Sequence, residues 1–205
     1  PQPGQDQPNG DPVWQALPAG AAACALLPVD WNEAGKQLRD DMSGPAGGPQ
    51  QFDTLVAQAD GAAAACWYRE GRLATPLFVA RLRSEPSAEL AAQLGKVFMW
   101  GMPKAAGEVA ETRSKDVATW TREAQLAPRA KDDEGAKTKV AFALAKQYVL
   151  FSPDARLVER AVAAIEQRYP NVQETLPQAA RSNAVATIHP KALAAMVKRE
   201  AEQTL

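Results

Sequence analysis

A chain of 205 residues, 46% apolar and 23% charged, is long enough to bury one sizeable core and has the composition of a globular protein. Its formal net charge of −1 supplies no overall field that would draw it to nucleic acid or to an anionic membrane. No stretch approaches the ~20 consecutive apolar residues that a spanning helix requires.

Residues 1–16 open with PQPGQDQPNGDP, a polar run rich in proline and glycine that cannot bury a core. They read as a flexible lead-in, a tether of the kind that follows a removed signal or an anchor. One domain is expected over residues 17–205. At the far end, KREAEQTL continues a helical pattern without a cap and reads as a chain that goes on.

From Ala22, AACALLPV is a short continuous apolar run, the mark of a buried strand. DWNEAGKQLRDDM follows, with Asp30 and Glu33 at capping-box spacing and Trp31, Ala34, Leu38 and Met42 on one stripe. SGPAGGPQQ is a loop, and FDTLVAQADG a short helix or irregular segment. AAAACWYREGRLATPLFVARLRS predicts two strands around the turn REGR, where Gly71 is placed to supply a positive φ. Ser87 is a good N-cap for AELAAQLGKVFMW, with Leu90, Leu94, Val97 and Phe98 inward.

Residues 101–139 are the least regular, with DVATWTRE as a strand and APRAKDDEGAKT as a mobile loop. KVAFALAKQYVLFS predicts a hairpin turning near Lys146, with Tyr148–Phe151 as its second strand. A helix follows from Pro153, with Leu157, Ala161, Ile165 and Tyr169 one turn apart and Val158 and Val162 beside them. YPNVQETLPQAARSN is a loop. AVATI is a last strand, and HPKALAAMVKREAEQ a last helix with Leu193, Met196 and Val197 inward.

CALLPVDWNEAGKQL, YVLFSPDARLVERAV and AVATIHPKALAAMV therefore share one pattern: a short apolar strand, a break containing proline, and an amphipathic helix. Proline suits a first helical turn because its missing N–H has no partner to lose there. The fold class expected is α+β, a mostly antiparallel sheet with amphipathic helices packed on one face, built from these repeated units.

Candidate chemistry is sparse. Ser152, Asp154 and His189, the lone histidine, invite a hydrolase reading. A nucleophile elbow needs glycines around its serine, however, and Ser152 lies between Phe151 and Pro153. Capping explains the same residues, with Ser152 as N-cap and Asp154 facing the positive helix end. One histidine and two distant cysteines match no zinc spacing, no alternating-acid calcium loop is present, and no phosphate-cradling glycine loop is found. No catalytic, cofactor-binding or metal residue is assigned. Cys24 and Cys66 each follow an alanine run. They are buried thiols in a cytosolic chain, or a cross-strand disulfide in a secreted one, closing a loop of roughly 40 residues worth about 2–4 kcal/mol. The five tryptophans are expected mostly in the core; Trp14 in the lead-in and Trp120 in the irregular middle would anchor a protein partner if exposed.

LLPVDW, CWYREGRLATPLFVARL and YVLFSPDARLVERA taken together resemble the YfaA-like family of predicted secreted bacterial proteins of unknown function, over most of residues 17–200. That family is typically encoded beside a bacterial alpha-2-macroglobulin, a periplasmic protease trap, and its members are longer than this chain. The resemblance implies a periplasmic or otherwise extracytoplasmic location and an accessory role beside the macroglobulin. It carries no catalytic residues to transfer. The functional expectation is a non-enzymatic protein-interaction module without cofactor or nucleic-acid partner. The alternatives are a cell-envelope hydrolase acting on peptide or cell-wall substrates at Ser152 and His189, and a structural half of a larger secreted protein.

Overall fold

The computed structural model describes residues 11–42, 56–100, 108–125, 137–175 and 186–202, with the side chains of 38–42, 96–100 and 125 excepted. Eight strands form one sheet: β1 Ala21–Leu27, β2 Ala59–Tyr68, β3 Leu77–Leu82, β4 Ala110–Ser114, β5 Val117–Gln125, β6 Lys137–Ala145, β7 Tyr148–Ser152 and β8 Ala186–Ile188. Their spatial order is β4-β5-β6-β7-β3-β2-β1-β8, and every neighbouring pair is antiparallel. Among the described residues the helices with both ends in view are α1 Trp31–Met42, α2 Ala88–Trp100, α3 Ala155–Ile165, α4 Val172–Thr175 and α5 Pro190–Glu202. The expected α+β class, with an antiparallel sheet, is the architecture present.

Helices cover both faces of the sheet rather than one. The reason is legible in β6, whose second half, Val140–Ala145, is buried at every position instead of every second one. Its odd residues Ala141, Ala143 and Ala145 face one core with Leu157, Val158 and Ala161 of α3. Its even residues Phe142 and Leu144 face a second core with Ala91 and Leu94 of α2.

The lead-in is shorter than residues 1–16. Pro12–Ala16 form a 3₁₀ helix capped by Asp11, whose side chain accepts from the Val13 N–H. Val13, Trp14 and Ala16 are buried in the first core, so folded chain begins by Asp11; residues 1–10 lie outside the described residues.

Caps sit where short polar side chains precede apolar stripes. Asp30 Oδ1 accepts from the N–H groups of Asn32 and Glu33 at α1, and Ser87 Oγ from Leu90 N–H at α2. At α3 the cap is Asp154, one proline beyond the expected Ser152, whose hydroxyl instead accepts from the Asp154 N–H. The β6–β7 hairpin turns at Lys146, in the left-handed region at φ 51°. Gly71, by contrast, takes no positive φ. Its turn is closed by Gly71 N–H to Tyr68 C=O, and by Thr75, whose Oγ1 accepts from the Arg72 N–H.

Three elements depart from expectation. β4 pairs with β5 although all five of its residues are exposed, which leaves it no apolar alternation to read. α4 is a single turn capped by Asn171 inside a stretch read as loop. In α5, Met196 is buried but Val197 is exposed. The three strand–break–helix segments are β1–α1, β7–α3 and β8–α5. β1 runs antiparallel to both β7 and β8, so α1 leaves the sheet from the opposite end to α3 and α5. In the first two segments the break carries the helix cap, Asp30 and Asp154. The loop APRAKDDEGAKT falls on 127–136, outside the described residues, and on the first two residues of β6.

Candidate functional site

Ser152 is fully buried, and its hydroxyl is engaged with the Asp154 backbone at 3.0 Å. Asp154 accepts from the Arg156 N–H at 3.1 Å and from Arg156 Nε at 2.9 Å. Burial works against its charge, but Arg156, with Arg160 behind it, outweighs that and holds the carboxyl below its ordinary range. His189 is exposed just beyond β8, its N–H donating to Ala22 C=O. β7 and β8 have β3, β2 and β1 between them, four inter-strand steps and roughly 19 Å at about 4.8 Å each. A base must come within hydrogen-bond reach of its nucleophile. The hydrolase centre at Ser152 and His189 is therefore not assembled.

Trp14 and Trp120, the expected partner anchors, are each 1% exposed and belong to opposite cores. Neither is available to a partner. Cys24 and Cys66 form a disulfide between directly paired positions of β1 and β2, with both residues buried.

The β2–β3 turn gathers polar anchors. Arg160 of α3 pairs with Glu70, Arg199 of α5 donates to Arg69 C=O and Gly71 C=O, and Arg72 lies 3.9 Å from Glu200. Burial raises the Glu70 carboxyl, but the Arg160 hydrogen bond and charge bring it below the ordinary value. These contacts tie two helices to one turn. Burial pushes the Tyr68 hydroxyl well up, and it donates to Pro18 C=O at 2.8 Å. One surface hollow of about 450 Å³ lies at the Lys146–Gln147 turn, lined by Gln15, Gln147, Gln167, Asn171 and Gln173 with Lys146 and Glu174. It holds no nucleophile with a base. Among the described residues no three of His, Cys, Asp and Glu converge on a metal-sized site.

What distinguishes the surface is a row of side chains running straight across the sheet. Glu111, Trp120, Phe142, Phe151, Phe78, Ala65, Ala25 and Ala186 are directly paired, one from each strand in spatial order. Paired residues point to the same face, so four aromatic rings on adjacent strands stand side by side. Trp120 and Phe142 lie 5.5 Å apart beneath α2, and Phe78 and Phe151 are stacked at 6.1 Å. The row divides there. Trp120 and Phe142 are buried, Phe151 is half-buried, and Phe78 is 39% exposed. Trp67, also half-buried, is on the same face two residues beyond Ala65, its Nε1 donating to Leu73 C=O at 3.1 Å. Residue-by-residue reading did not find this row, because it depends on cross-strand register. The available signal was an apolar residue at every position of VAFALA and YVLF, which demands cover on both faces.

Comparison with known proteins places the chain. Residues 4–205 match the family model described as an uncharacterized protein conserved in bacteria, DUF2138. The chain belongs to that family. It is 29% identical over 183 residues to the uncharacterized protein YfaA of Escherichia coli K12, covering 81% of this chain and 31% of that protein. The chain thus spans about a third of the curated relative it matches. Two solved structures of TP0453 are also similar, each over 74% of this chain at 13% identity. Crystal form III has a TM-score of 0.37 over 52% of that chain, and form I 0.33 over 51%. The family is one of unknown function, as the resemblance implied.

Proposed function

We propose that this chain is a non-enzymatic interaction domain of an extracytoplasmic bacterial protein, and that it works by seating an apolar side chain of another polypeptide segment on Phe78. The observation that supports this reading is the divided aromatic row. Two of its rings are roofed by α2, while on the same sheet face Phe151 is half-buried and Phe78 is 39% exposed. Phe78, exposed between the half-buried Phe151 and Trp67, is a rigid aromatic ring of the kind from which docking surfaces are most often built.

The Cys24–Cys66 disulfide supports placement outside the cytoplasm, because reducing compartments do not maintain structural disulfides. The likeness to the YfaA-like family supports the finer reading, an accessory role of the whole protein beside a periplasmic alpha-2-macroglobulin. Among the described residues no helix is long and apolar enough to cross a membrane.

The test is isolation of the tagged whole protein from its native periplasm after brief cross-linking. Recovery of the macroglobulin at levels well above those in a tag-only control is the expected result. Recovery of cytoplasmic proteins alone would contradict both the compartment and the accessory role.

A further inference from the structure

We infer that two copies of this chain pair through β4, antiparallel about Thr112, so that one sheet runs through a dimer. This goes beyond the docking reading above and makes no use of Phe78.

β4 is a bare edge. It ends the strand order, and among the described residues it pairs with β5 alone. All five of its side chains are exposed. Its register with β5 carries no bulge and its sequence no proline, two of the devices that blunt a sheet edge. The other edge strand, β8, is only three residues long. Which β4 groups face outward follows from the turn. Ser114 and Val117 flank the two-residue turn Lys115–Asp116, so they form a hydrogen-bonded pair. Alternation then turns the N–H and C=O groups of Ala110, Thr112 and Ser114 toward β5, and those of Glu111 and Arg113 away from it.

Those two residues complement each other between copies. In an antiparallel pair centred on Thr112, Glu111 lies opposite Arg113 of the second copy, and Arg113 opposite its Glu111. Each such pair exchanges both backbone hydrogen bonds and sets opposite charges side by side on one face. Thr112 meets Thr112 at the centre, a favourable cross-strand pair. Centring on Glu111 or on Arg113 instead would set like charges opposite each other. Charge on an edge ordinarily deters pairing; here it selects one register. Within one chain Arg113 already reaches Glu111 along the strand. Pairing exchanges that contact for a closer one, with Cα atoms about 5.5 Å apart across the pair against about 6.7 Å along the strand.

The helices leave room for the second copy. α2 lies over β5 and β6, so the two α2 helices would stand about four strand spacings apart, roughly 19 Å, against the ~8–10 Å at which helix axes pack. The contact is also symmetric and closes at two copies, whereas β4 against β8 of the next copy would run on as a filament.

Sedimentation velocity of the 205-residue chain tests this. Monomer should give way to dimer between about 10 μM and about 1 mM, as befits a short interface. Glu111→Arg alone and Arg113→Glu alone should each weaken the dimer at least about tenfold, by opposing like charges. An equimolar mixture of the two variants should recover it, because each brings the sign the other lacks. In amide exchange, the Glu111 and Arg113 N–H groups should gain several-fold protection as the dimer forms, with Thr112 protected throughout. A chain that stays monomeric, a dimer indifferent to both reversals, a mixture that fails to recover, or assemblies larger than a dimer would each overturn the inference. So would protection of the Glu111 and Arg113 amides in a longer family polypeptide that sediments as a monomer, since the edge would then be covered by its own chain.

Discussion

Gly95 of α2 lies directly on the indole of Trp120: a Cβ at position 95 would fall 2.0 Å from Cε2 and 2.4 Å from Nε1. The glycine lets the helix backbone rest on a flat ring and so fixes how close α2 sits to the sheet. Two effects oppose each other in Gly95→Ala. Helix propensity alone favours alanine by about 1 kcal/mol. Against this, the indole is buried and cannot step aside, and overpacking of that kind typically costs about 1–3 kcal/mol. Net destabilisation is the expected outcome, read as a lower urea midpoint. A raised midpoint would show that α2 is free to lift off Trp120.

The Cys24–Cys66 bond joins residues 42 apart in sequence on the two strands β1 and β2. Closing a loop of that length removes unfolded-state entropy worth about 4 kcal/mol in the chain-entropy model, with measured values usually about 2–5 kcal/mol. Replacing both cysteines by alanine should lower unfolding free energy by an amount in that range. Because both sulfurs are buried, dithiothreitol should reduce the bond only as fast as the native chain opens. Rapid reduction under native conditions would contradict the burial.

Asp154 titrates with a definite sign. Its folded-state carboxyl is held below the ordinary value, so its stabilisation is fully present above the unfolded-state value near pH 4. That contribution is lost as pH falls through the lower, folded-state value. Asp154→Asn keeps a capping oxygen but loses the ion pair with Arg156. The variant should therefore lose less stability than the parent as pH falls below about 4, where the parent's carboxylate comes to be neutralised. Asp154→Ala should cost about 1 kcal/mol at pH 7 through the lost cap. Urea midpoints across pH check both.

Ser152 should ignore serine-directed reagents. It is fully buried, its hydroxyl is held by the Asp154 backbone, and His189 is four strands away. A fluorophosphonate should leave the chain unlabelled, and His189→Ala should change stability by less than about 0.5 kcal/mol as an exposed substitution. Stoichiometric labelling of Ser152 would restore the hydrolase reading.

Local features were legible in the sequence because local chemistry determines them. Asp30 and Ser87 announced their caps, the apolar run from Ala22 announced β1, and Lys146 marked the hairpin turn. Features set by register were not. Nothing local shows that Phe142, Phe151 and Phe78 share one row, since Phe78 lies more than sixty residues before Phe142 and meets β7 by a long connection. The faces of the tryptophans are set by the fold in the same way. Trp14 in a polar lead-in and Trp120 in an alternating strand both turn inward, while Trp67, in an apolar strand, is half exposed. Composition around a residue predicted its neighbourhood in sequence, not the face to which the sheet assigned it.

The division of the aromatic row into a structural half and a docking half is tested most directly by urea unfolding of Phe142→Ala and Phe78→Ala side by side in the 205-residue chain. Phe142 is buried under α2, and its truncation should cost about 3–5 kcal/mol. Phe78 is partly open, and its truncation should cost less than about half as much, chiefly through the lost stacking on Phe151. Equal losses at the two positions would make Phe78 an ordinary core residue and contradict the account.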